Sequence, residues 1–287
     1  MNGIVIEDKP QEWTSQDVTA RLRRVFNTRR IGHGGTLDPM ATGVLPVFVG
    51  RATRGVEFFE HAEKIYEATL RLGVSTDTED MTGTVLRRQE VRLTEEEFLA
   101  ILPRFRGKIM QVPPMYSSLK INGQKLVDLA RKGREVERQS REIEIFQLEC
   151  LEFTGETARL RVHCSKGTYI RTLCKDIGEA CGCGGCMELL RRTAAGEYTI
   201  AEAVPLQELL DTAEPEKYLR NVDTMFLRHP AVNLTANQEK RCRNGNSFSV
   251  NLPDGTYRAY GQDGEFLMLA KVDGGIMSTV KSFFDVG

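Results

Sequence analysis

Residues 32–54 read GHGGTLDPMATGVLPVFVGRATR, and the rest of the chain is best read outward from them. The first part, Gly32 to Pro39, is too rich in glycine and proline for a helix or a central strand. Strand character resumes from Val44 to Val49, and a short helix is expected around Thr53 to Phe59. A phosphate loop is excluded because G-x-x-x-x-G-K-[ST] needs a lysine that is absent, and no G-x-G-x-x-G opens a helix here. What remains is a glycine-lined turn presenting one carboxylate, Asp38, locked by Pro39. A fixed carboxylate can act as nucleophile or general base. Asp before Pro is also a common turn opener, and on spacing alone that reading is the stronger.

Upstream, Gly3 to Glu7 is short and β-branched and reads as a strand ended by Lys9-Pro10. Thr14 or Ser15 can cap a helix with Val18, Leu22, Val25 and Phe26 on one face. Downstream, Tyr66, Ala68, Leu70 and Leu72 alternate with polar residues as in a half-buried strand. Thr94-x-x-Glu97 opens a helix with a capping box. Residues 103–141 mix Pro, Gly and basic residues around one helix near Lys125 to Lys132 and read as a surface insertion. Strands follow at Glu142–Glu149 and Ala158–Ser165, then a helix from about Tyr169 to Ala180. Beyond Asn233, Asn-Gly, Asp-Gly and Gly-Gly turns between short apolar runs indicate a small all-β unit.

The 287 residues are 40% hydrophobic and 28% charged, enough for a sizeable core. No apolar run approaches a membrane span, and MNGIVIEDKP lacks a secretory signal, so a cytoplasmic protein is expected. The net charge of −1 says nothing about partners, but two local patches do. Residues 20–30 hold Arg21, Arg23, Arg24, Arg29 and Arg30 and no acid, and residues 119–141 hold seven bases against three acids. Such patches can neutralise phosphates, although a solvated surface accounts for charge alone. Cys181, Cys183 and Cys186 have a spacing that can hold zinc, with Cys174 the nearest fourth ligand. Small residues in a glycine-rich turn are the simpler account, and no metal is expected.

Five segments then change the weighing. Residues 32–54 resemble the catalytic segment of the TruB family of tRNA pseudouridine synthases. The likeness continues, in family order, with KIYEATLRLG (64–73), QVPPMYSSLKING (111–123), SKGTYIRTL (165–173) and LRR (190–192). One glycine-rich loop would be weak evidence; five ordered matches are specific.

The resemblance implies an α+β pseudouridine synthase fold with a mixed, largely antiparallel central sheet over residues 1–230. A C-terminal β-barrel-like, PUA-type domain would span 231–287, and 103–141 would be the insertion that closes over the T-arm of tRNA. The implied reaction turns uridine 55 of the T loop into pseudouridine after base flipping. It gains and loses no atoms, so no cofactor is required. Asp38 matches the nucleophile, Tyr66 the tyrosine packed on the base, and Arg171 the arginine paired with the carboxylate. Tyr169 and Leu190 match residues lining the uracil pocket, and His33 the histidine that fills the vacated stack. Lys9 and Pro10 match a motif that supports the pocket. No obligatory protein partner and no membrane are implied. The alternatives are a guide-RNA-dependent synthase, a tRNA-folding chaperone and a zinc-binding RNA module. Two departures stand out: Gly34, where many relatives carry threonine, and the cysteine-rich turn.

Overall fold

A computed structural model describes residues 1–117, 119–121 and 123–284. Ser118 and Asn122 of the 111–123 segment, and 285–287 of the C-terminal unit, lie outside the described residues. The first strand, Gly3–Lys9, is almost wholly buried and lies inside a ten-stranded sheet. The main path runs Val204–Pro205, Gly3–Lys9, Thr42–Val49, Gly185–Ala195, Lys64–Leu72, Thr157–Cys164, Arg141–Phe153, Gly107–Gln111. Val204–Pro205 pairs with Gly3–Lys9, and Thr42–Val49 with Gly185–Ala195, in parallel; the other pairings are antiparallel. The mixed, largely antiparallel sheet expected from the sequence is present.

Local sequence explains the elements that frame the centre of this sheet. In Lys64–Leu72 every second residue from Lys64 to Leu72 is buried, the period-two pattern expected of a half-buried strand. Thr14 caps the helix Ser15–Val25 through a capping box with Asp17. That helix presses Val18 and Leu22 onto Val5, Leu45, Val47 and Val49 of the sheet. The helix Ile170–Ala180 covers another part of the sheet, seating Leu173, Cys174 and Ile177 against Leu70 and Met187. Gly43, at φ +103°, lies where a Cβ would fall 2.2 Å from the Arg192 carbonyl. Only glycine lets these two parallel strands approach so closely.

Some expectations need correction. Ile31–His33 is a short strand on Val47–Val49, so the glycine-rich segment begins as sheet edge before it becomes loop. The helix expected at Thr53 to Phe59 starts as a 3₁₀ turn, Gly50–Gly55, and becomes α-helical over Val56–Phe59. Of residues 103–141, Gly107–Gln111 is an edge strand of the central sheet. The C-terminal unit is not all β. Five strands in the order Ala231–Asn233, Gly255–Tyr260, Phe266–Asp273, Ile276–Ser282, Phe248–Ser249 accompany a helix, Ala236–Arg243. That helix buries Cys242 alone, so it carries no apolar stripe to read. Its Thr235–Gln238 capping box is the signal that remains.

Glu7 occupies an unusual place. It is fully buried between Leu45 and Val204, and neither carboxylate oxygen has a hydrogen-bond partner among the described residues. Burial pushes its pKa up to about 9, against the opposing pull of Lys9, so the carboxyl is neutral at pH 7. A carboxyl raised in the fold stabilises fully below its unfolded value and loses that contribution as pH climbs towards the folded one. Glu7→Gln should therefore gain on the wild type, by more than about 1 kcal/mol, between about pH 5 and pH 8. Urea unfolding at the two pH values measures this, and a gap that does not change with pH contradicts it.

Candidate active site

Asp38 lies on a loop fastened from several sides. The Ser15 hydroxyl donates to the Leu37 carbonyl (3.2 Å) and accepts from the Leu37 N–H (2.9 Å). The Glu12 N–H donates to the Pro39 carbonyl at 2.8 Å, and Gly34 N–H to the Pro46 carbonyl at 2.8 Å. Buried Lys9 donates through Nζ to the carbonyls of Pro10 (2.8 Å), Trp13 (2.5 Å) and Pro39 (3.3 Å). Its desolvation lowers the ammonium pKa to about 8. Arg192, 1% exposed, donates to the Val44 and Gly35 carbonyls at 2.7 and 3.1 Å. Lys9 and Arg192 thus hold the loop through its backbone, which leaves the Asp38 carboxylate directed elsewhere.

It is directed at Arg171. Arg171 Nε lies 3.0 Å from Asp38 Oδ2, and its Nη1 lies 3.5 Å from Asp80 Oδ2. Nη1 also donates to the Thr78 carbonyl (3.1 Å) and Nη2 to the Tyr116 carbonyl (2.6 Å). The guanidinium sits in the first turn of its helix, where a cation is disfavoured, and these acceptors offset that. Asp80 is itself anchored: Oδ1 accepts from Thr78 Oγ1 (2.8 Å), Thr82 N–H (2.9 Å) and Thr82 Oγ1 (2.5 Å). Glu79 next to it ties the same turn to the helix, accepting from Thr172 Oγ1 (2.6 Å) and pairing with Lys175.

The Asp38 side chain is 37% exposed but stands in a desolvated pocket, and burial raises its pKa above the ordinary aspartate value. Arg171 opposes the rise, Asp80 adds to it, and Lys9 opposes it further. From the sequence, the arginine alone is expected to keep Asp38 ionised. Desolvation and the second carboxylate leave the net direction upward. Tyr66 is 8% exposed on the central strand, and burial raises its pKa too.

Asp38, Tyr66, Arg171, Tyr169 and Leu190 surround one pocket of about 300 Å³. Gln111 fixes Tyr169 by taking both its backbone groups, N–H to Oε1 (2.8 Å) and carbonyl from Nε2 (3.1 Å). His33, Lys9 and Pro10 do not line this pocket. His33 stands on the short edge strand, its Nδ1 buried and without a partner among the described residues. Burial, then Arg192, lowers its pKa, which keeps the ring neutral. Gly34 is accounted for by packing: a Cβ there would fall 2.4 Å from the Phe59 ring.

Asp80, Gln111 and Arg192 are not singled out by the sequence. Asp80 hides in TDTEDMTG, which reads as a turn; Gln111 and Arg192 fall inside quoted segments but have no reactive role to advertise them. Of the cysteines, Cys183 Sγ faces the Gly178 and Gly184 carbonyls, and Cys186 Sγ lies 3.4 Å from Met81 Sδ. No group of three or more His, Cys, Asp or Glu among the described residues could hold a metal ion.

Comparison with known proteins completes the description. Residues 23–170 match the family described as TruB family pseudouridylate synthase (N terminal domain). Residues 171–223 match the tRNA pseudouridylate synthase B C-terminal domain. The tRNA pseudouridine synthase B of Francisella tularensis subsp. novicida (strain U112) is 42% identical, the alignment covering 99% of this chain and 95% of that protein. The Francisella philomiragia protein of the same name is 41% identical with the same coverage. Among solved structures, a Cbf5-Nop10-Gar1 complex aligns with TM-score 0.74 at 25% identity, over 99% of this chain and 85% of the matched one. An H/ACA RNP bound to a substrate RNA containing 2′-deoxyuridine aligns with TM-score 0.74 at 23% identity, over 99% and 86%, and shares the fold. With the family match covering more than half its length and relatives aligned end to end, this chain belongs to the TruB family of pseudouridylate synthases.

Proposed function

We propose that the chain isomerises uridine 55 in the T loop of tRNA, with Asp38 as the essential carboxylate. The observation that carries this is the Asp38–Arg171–Asp80 ion-pair chain beside a pocket sized for one flipped base. The reaction breaks the N1–C1′ bond, turns the uracil and forms C5–C1′. The C5 proton leaves and N1 carries one in the product, so nothing is oxidised and no atom is lost. An ionised Asp38 can attack C1′ or C6, and either route needs the carboxylate oriented, which is the work of Arg171. Buried Tyr66, kept as a neutral phenol, offers its ring to the uracil and its oxygen to relay the C5 proton.

Tyr169 and Leu190 complete the pocket wall. Neutral His33, on the strand that leads into the catalytic loop, takes the stack that the uridine leaves; Lys9 and Pro10 support the loop from behind. The division into a catalytic unit (1–230) and an RNA-gripping PUA-like unit (231–287) is supported by their separate sheets. The segment from 112 to 140 reaches the pocket through Tyr116, Val127 and Arg131, which suits an insertion that closes on the T-arm. No described helix is long and apolar enough to cross a membrane, and a cytoplasmic enzyme working without an obligatory protein partner fits this reading.

An unmodified tRNA transcript incubated with the protein and excess EDTA should acquire pseudouridine at position 55, and Asp38→Asn should yield none. Binding by both proteins without modification by either refutes the enzyme reading. Arg171→Lys keeps the charge but loses the fork that reaches Asp38 and Asp80 together. Its single-turnover rate should fall about 10²–10³-fold at saturating tRNA. A rate within about two-fold of wild type removes the orienting role given to Arg171.

A further inference from the structure

We infer that Trp13, with Arg21 and Arg24, forms a second RNA subsite that takes a nucleotide flanking the target uridine. The inference rests on the function proposed above and extends it beyond the uridine pocket. Trp13 is the only tryptophan of the chain and is half-buried. Its backbone is tied to the catalytic loop by the bonds already described: Lys9 Nζ bridges the Trp13 and Pro39 carbonyls, and the Glu12 N–H reaches Pro39. The next residue, Thr14, lines the pocket that holds Asp38. The Trp13 backbone is therefore held one residue from the pocket where the base is drawn from its stack, which puts the indole within reach of a neighbouring nucleotide.

The chemistry of the rim suits them. The Arg21 guanidinium carbon lies 5.9 Å from the centre of the indole ring. Arg24 follows one turn along the helix, and both arginines are exposed. Among the described residues neither makes an ion pair. A groove of about 510 Å³ runs between Trp13 and these arginines. Two acids, Glu12 and Asp17, share it, but the Asp17 carboxylate is occupied by the Thr14 N–H (3.1 Å) and hydroxyl (2.5 Å). Beyond them residues 20–30 carry five arginines and no acid. An aromatic plane beside unpaired guanidinium groups is how proteins stack an unpaired base and hold its phosphate. Trp13 also packs on the core beneath it, so a structural role must be separated from an RNA-binding one.

The lone tryptophan allows that. Unmodified tRNA transcript titrated into the Asp38→Asn protein should change the red-edge-excited emission of Trp13, saturating together with binding measured by filter retention. Trp13→Leu, and Arg21→Gln with Arg24→Gln, should each raise KM about ten-fold while kcat moves less than about two-fold. Trp13→Phe keeps a stacking ring and should stay near wild type. Emission indifferent to bound tRNA, or Leu and Phe variants that behave alike, overturns the subsite. If Trp13 responds but wild-type protein makes no pseudouridine, the subsite stands and the isomerase reading fails.

Discussion

A carboxylate that must be charged inside a desolvated pocket needs an opposite charge held at contact distance. Here that charge is Arg171, 3.0 Å from Asp38 and nearly fully buried. The arginine in turn needs its remaining donors satisfied, because an unpaired buried guanidinium is costly. Asp80 and the Thr78 carbonyl, from one turn, and the Tyr116 carbonyl, from a distant segment, fill that need. The helix 170–180, the turn 76–83 and the segment 112–117 therefore meet at one side chain.

Asp80 acts in two directions. It completes the guanidinium's contacts and holds its plane, yet its own negative charge raises the Asp38 pKa. The site thus trades some ionisation of Asp38 for a rigid arginine. Behind it, Lys9 and Arg192 hold the loop only through carbonyls, so two buried cations fix its backbone without competing for the Asp38 carboxylate. Glu7, buried in the same strand as Lys9, is coupled to it: burial raises the carboxyl and lowers the ammonium, and each opposes the other's shift.

Much of this is legible in the amino-acid sequence. The alternation in 64–72, the helix cap at Thr14, the capping box at Thr94 and the strand after the glycine-rich loop all come from local rules, and all are present. Ordered motifs mark Asp38, Tyr66 and Arg171; their meeting in one pocket needs the tertiary fold. What the sequence hides, it hides for physical reasons. Asp80 lies among turn-forming residues, and its value comes from an arginine 91 positions away in sequence. The Tyr116 contact is made by a carbonyl, which no residue type signals. The helix Ala236–Arg243 is polar on nearly every face and leaves no periodicity to find. Glu7 looks like the polar end of a strand, and only its pairing on both sides buries it.

The central claim is that isomerisation depends on an ionised Asp38 whose charge is set by Arg171 and Asp80. The direct test is the acid limb of the single-turnover rate at saturating tRNA, for wild type and Asp80→Asn. Because burial and Asp80 raise the Asp38 pKa, the wild-type rate should fall, as pH drops, at a pH above the ordinary aspartate value of about 3.9. Removing the Asp80 charge should shift that limb to lower pH while the plateau rate drops, because Arg171 loses a partner. A limb at the ordinary value, or one that Asp80→Asn leaves in place, contradicts the account.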